Sequence, residues 1–152
     1  MTLAPFHPPR RAAIDDPAEI AGIEALLAAL SGMIVAAGGA AALMGRDLLE
    51  MTPAQRAAAL TAMYDDGEVV LGWRHGCGTV VNMTLERLEI DGATMWRAQF
   101  HVEEDAGHVL RGALAARDLK ALGAAALRVA AAGDPGTLPS PGAALAAALR
   151  AG

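Results

Sequence analysis

The chain has 152 residues and a formal net charge of −5, and although 54% of it is apolar only 3% is aromatic, because about a quarter is alanine. That length suits one domain with a real core, and the composition excludes a collagen, a disulfide scaffold and a wholly disordered chain. The acidic balance lacks the broad basic field of a phosphate-backbone reader, so no nucleic-acid partner is expected. Cys77, the only cysteine, excludes an intrachain disulfide or a cysteine-built zinc site and points to a reducing, cytoplasmic setting.

Residues 1–15 carry Pro5, Pro8 and Pro9 and no periodicity, which predicts a flexible N-terminal arm and leaves 16–152 as a single domain. Prolines and the charges of Arg10, Arg11, Asp15 and Asp16 also stand where a signal peptide needs an apolar stretch. Asp16, Pro17 and Glu19 form a helix start, and the helix is expected to run to about Ala37 before Gly38-Gly39 breaks it. From Ala25 to Met44 no residue is charged, a run long enough to span a bilayer. Against a membrane span, Ile20, Ile23, Leu27, Leu30 and Ile34 form a stripe, and a stripe needs a protein core. A short apolar piece from Ala40 to Met44 follows, with Gly45-Arg46-Asp47 closing it off. Thr52-Pro53-Ala54-Gln55 starts a second helix, which Asp65-Asp66-Gly67 ends near Tyr64.

Between Ala62 and Ala93 alanine disappears and valine, threonine, tryptophan and isoleucine take over, which is strand vocabulary. Asp91-Gly92 is the preferred pair for a two-residue hairpin loop. Its closing pair is Ile90 with Ala93, and counting outward pairs Leu85 with Ala98, Met83 with Phe100 and Val81 with Val102 on one face. Glu86 then meets Arg97, Thr84 meets Gln99 and Asn82 meets His101 on the other. Apolar meets apolar and opposite charges meet, which a one-residue slip would destroy. Taken as a three-residue loop, Gly76-Cys77-Gly78 sets Trp73 beside Val81, Leu71 beside Met83 and Val69 beside Leu85. In the same way Asp105-Ala106-Gly107 sets Leu110 beside Val102, Gly112 beside Phe100 and Leu114 beside Ala98. The expected result is a four-stranded antiparallel meander, residues 68–75, 79–90, 93–104 and 108–115, with one oily face.

Leu119, Leu122, Ala126 and Val129 then form a helical stripe that Gly133-Asp134-Pro135-Gly136 stops, and Ser140-Pro141 starts a last helix with Leu145 and Leu149. The fold class is α+β: N-terminal helices, the meander, and C-terminal helices packed on one sheet face. A competing reading makes 108–132 one helix; Gly112 and the alternation around it argue against that.

The polar face of the meander is the candidate partner or ligand surface: Asn82, Thr84, Arg97, Gln99, His101, Glu103 and Arg111. A solvated sheet face looks the same, which weighs against a site there. His101-Val102-Glu103 has metal-ligand spacing, but His75 and Cys77 lie at a loop end and His108 falls beside Glu104 on the opposite face, so no metal and no cofactor are expected. Cys77 reads as a turn thiol, and no phosphate-binding loop or nucleophile elbow occurs. Alanine-rich helices bury little area each, so the first functional expectation is a non-catalytic interaction or assembly subunit. It would pair with itself or another protein subunit through Leu27, Leu30 and Ile34 in the charge-free strip. The alternative is a small-molecule-binding protein or enzyme with His101 as acid/base.

Overall fold

The computed structural model describes residues 9–105 and 107–151. The order is β1 (Arg10–Arg11), α1 (Pro17–Ala36), β2 (Ala40–Leu43), β3 (Arg46–Asp47), a 3-10 turn, α2 (Pro53–Asp66), β4 (Glu68–Arg74), β5 (Val80–Ile90), β6 (Ala93–Glu104), β7 (Gly107–Ala116), α3 (Leu119–Ala131) and α4 (Pro141–Ala151). The fold is α+β, with one seven-stranded antiparallel sheet in the order β3-β2-β4-β5-β6-β7 and β1 paired to the far end of β5. The sheet therefore has three strands beyond the expected meander.

Local chemistry accounts for the helix starts. The Asp16 carboxylate accepts from the Ala18 amide ahead of Pro17, and Thr52 and Gln55 form a complete capping box ahead of α2. The β4–β5 and β5–β6 registers follow the turn signals pair for pair, from Val69↔Leu85 and Trp73↔Val81 to Ile90↔Ala93 and Val81↔Val102. On β7 the pairs Ala98↔Leu114 and Phe100↔Gly112 also follow. Nearer the turn the register differs: Glu104 pairs with Gly107, and Val102 faces Val109 rather than Leu110. A bulge at Arg111 absorbs the extra residue, which lets both ends of the hairpin pair. Residues 108–132 are thus a strand and a helix, not one helix.

The oily face carries the core. Val69, Leu71, Trp73, Val81, Met83, Leu85, Ala98, Phe100 and Val102 meet Ile23, Leu26, Leu27, Leu30 and Ile34 of α1 and Leu122 and Ala126 of α3, all buried. Trp73 and Phe100 pack edge to face at 6.4 Å and 72°. Fully burying side chains of this size contributes about 1.5–3 kcal/mol each, so the sheet and α1 hold each other.

Three expectations need correction. First, α4 does not join the other helices: Leu145 packs on Leu88 and Met95, which alternation places on the Glu86 side of the sheet. The route there is a backbone clip, in which Leu138 donates to the Arg111 carbonyl and Ala113 donates to the Pro139 carbonyl. Gly112 permits it. Its φ is +129°, and a Cβ there would stand 2.4 Å from the Leu138 carbonyl oxygen. Second, the described part of the N-terminal arm is built into the fold: Arg10 and Arg11 pair with Glu89 and Leu88, and Ile14 is buried. Residues 1–8 lie outside the described residues. Third, the piece from Ala40 to Leu43 is a strand, turned onto β3 by Met44 and Gly45, both with positive φ. Methionine is a rare residue for that position, which is why the turn is invisible in the sequence.

Candidate functional site

Strand alternation and register lay out the polar face in rows. The end beside α4 belongs to Glu86, the one charged residue buried among those described. Arg97 Nε reaches Glu86 Oε1 at 2.9 Å, Gln99 Nε2 at 2.7 Å, and Arg11 Nη2 reaches Oε2 at 3.2 Å. Arg11 also pairs with Glu68 at 2.6 Å, so β1 is bolted to the sheet by charge as well as by backbone. Burial pushes the Glu86 carboxyl up, but the hydrogen bonds from Arg97 and Gln99, the Arg97 charge and the Arg11 bond outweigh it and hold it below its ordinary value. Arg97 and Gln99 are therefore committed to a structural network. They are not free to orient a ligand.

Beyond the Thr84–Gln99 pair, the next row is Ala42, Gly72, Asn82, His101 and Leu110, and the one after it Ala40, Arg74, Val80, Glu103 and His108. The bulge changes who stands here. Arg111 leaves the expected row, bonding Glu104 at 3.0 Å and approaching Asp134 at 3.6 Å, while His108 joins the His101 face opposite Glu103. Sequence counting placed His108 on the other face because it assigned three residues to the turn.

A cleft of about 440 Å³ opens over these last rows, floored by Ala40, Ala42, Val70 and Gly72 and walled by Arg74, Asn82, Glu103 and His108. Asn82 Nδ2 lies 3.3 Å from His108 Nδ1. The amide nitrogen only donates, so His108 is the neutral ring protonated at Nε2 in this contact. Asn82 Oδ1 occupies the space over Gly72, 2.7 Å from where a Cβ would stand, so glycine is what allows the amide to lie flat on the floor. His101, the residue expected as acid/base, is half-buried in the row beside Asn82 and is not part of this cleft's lining. The strand vocabulary of β4 to β7 was enough to find the face, but the small floor contributed by β2 carried no polar signal.

No group of His, Cys, Asp and Glu among the described residues is arranged to hold a metal ion. Cys77 is exposed at the β4–β5 turn, its thiol held below its ordinary range by the Thr79 backbone and hydroxyl.

The helix face has its own cleft, about 730 Å³, between α1 and α3. Ala18, Gly22, Ala25 and Ala29 form one wall, Gly123, Ala124 and Leu127 the other, with Leu26 and Trp96 beneath. Leu27, Leu30 and Ile34, expected as an interface, are instead inside the chain's own core. They occupy the stripe that the sheet covers, which leaves alanine and glycine on the outside. Neither a family model nor a curated protein nor a solved structure matches the chain.

Proposed function

We propose that the protein is a non-catalytic assembly module that self-associates through the outer face of α1. The observation that carries the reading is a seam: Ala18, Gly22, Ala25, Ala29, Gly32 and Ala36 recur at alternating four- and three-residue steps, and all are exposed. That is the spacing of a helix–helix seam, and small side chains let two backbones approach closely. No charge interrupts the seam from Ala25 to Ala36. By length and apolar composition α1 qualifies as a membrane span, yet only 28% of that stretch is buried. An exposed apolar surface of this extent suits a partner, and the cleft along α3 widens it. A second copy related by a two-fold axis would lay α1 against α1, each closing the other's seam.

Sedimentation velocity at tens of micromolar tests this. The chain is expected to sediment as a dimer, and Ala25→Arg, an exposed change, is expected to yield a folded monomer. A monomeric wild-type chain overturns the reading, and so does an Ala25→Arg variant that still assembles.

A further inference from the structure

We propose that the cleft on the polar face binds a small zwitterion of the dipeptide type, independently of any assembly through α1. Every charged residue on β4 to β7 has an ion-pair partner except Arg74 and Glu103, taking the described residues together. Those two line the cleft and flank Val80 in a single row. Strands about 4.8 Å apart put their backbones roughly 10 Å from one another, too far for a close ion pair without reaching but wide enough for a ligand between them. Opposite charges held apart over an alanine and glycine floor match a molecule carrying a carboxylate at one end and an ammonium at the other. Arg74 takes the carboxylate in its fork of donors, and Glu103 takes the ammonium.

Asn82, on the strand between them, and His108, which meets it from β7, supply neutral recognition. Their mutual bond orients both groups, leaving Asn82 Oδ1 as an acceptor and His108 Nε2 as a donor. That pair is complementary to an amide, such as a peptide bond or a carboxamide side chain. Glycylglycine carries both features, with its charges at opposite ends and its amide between them. A volume of about 440 Å³ accommodates molecules of this size.

The test is a titration of the ¹⁵N-labelled full chain with glycylglycine at millimolar concentration, alongside N-acetylglycine, which lacks the ammonium, and glycinamide, which lacks the carboxylate. The dipeptide is expected to shift the Asn82 side-chain amide and the His108 ring signals saturably, with both single-charge controls at least tenfold weaker. Arg74→Gln and Glu103→Gln, both exposed changes, are each expected to weaken binding at least tenfold while leaving the spectrum otherwise unchanged. Absent shifts with glycylglycine, equal binding by the controls, or unaltered affinity in the two variants would each overturn the proposal. Saturable binding that persists in monomeric Ala25→Arg keeps this result separate from the assembly reading.

Discussion

Glu86 shows how one residue can hold a strand, a hairpin and a terminus together. Its two oxygens collect Arg97 and Gln99 from β6 and Arg11 from β1, inside a sheet where an unpaired charge is costly. Glu86→Gln removes the charge and leaves Arg97 facing a neutral amide, so stability is expected to fall by about 2–3 kcal/mol in chemical denaturation. The pH dependence has a definite sign. A carboxyl held below its unfolded value, roughly 4.3 for Glu, stabilises the fold fully above that value and loses the contribution as pH falls through the folded one. Acid denaturation of the wild-type chain is therefore expected to be steeper below about pH 4.3 than that of Glu86→Gln, whose curve flattens over that window. Parallel acid limbs would show that the network carries no net charge stabilisation.

At the scale of elements, the bulge at Arg111 does the most. It shifts the outer half of β7 by one residue, brings His108 to the cleft and exposes the carbonyl that Leu138 pairs with. Gly112 beside it has a φ that L side chains rarely adopt, and the crossing chain sits where a Cβ would go. Gly112→Ala is expected to cost about 3 kcal/mol or more, through both strain and the broken clip. Its signature is selective: hydrogen exchange should accelerate in α4 and at Ala113 while β4 and β5 keep their protection. Uniform loss of protection would mean that the clip and α4 are integral to the main core rather than an added layer.

The molecule as a whole is a sheet with unequal covers. One face is covered by α1 and α3, with Met63 and Tyr64 of α2 joining the core around Trp73 and Phe100, and the other is covered at the α4 end. The cleft lies on the open part of the second face, and the α1 seam is an apolar strip left on the outside of the first. If two seams close on each other, folding and association are linked, and the melting temperature must rise with protein concentration. A rise across a hundredfold concentration range is expected for the wild-type chain, with Ala25→Arg melting at a constant temperature. A wild-type melting temperature that ignores concentration would sever folding from assembly.

The sequence by itself determined whatever short-range chemistry controls. Asp16-Pro17 and Thr52-Pro53 start helices because capping needs only residues within a turn, and Asp91-Gly92 sets a register because a two-residue loop leaves one way to count. Alternation then sorted Val81, Met83 and Leu85 from Asn82, Thr84 and Glu86 with no reference to the rest of the chain. Carried two pairs further, the same counting sets Leu88 beside Met95 on the polar side, the apolar spot that Leu145 of α4 covers. The α1 stripe was legible in the sequence, but tertiary structure alone decided that the chain's own sheet and not a partner covers Leu27, Leu30 and Ile34, which are equally apolar toward either. It also decided that Arg10 and Arg11 add a strand, that Met44 accepts a left-handed turn, and that Ala40, Ala42 and Gly72 floor a cleft. Each of these depends on contacts between residues far apart in the chain, where packing selects among conformations that local preference leaves open.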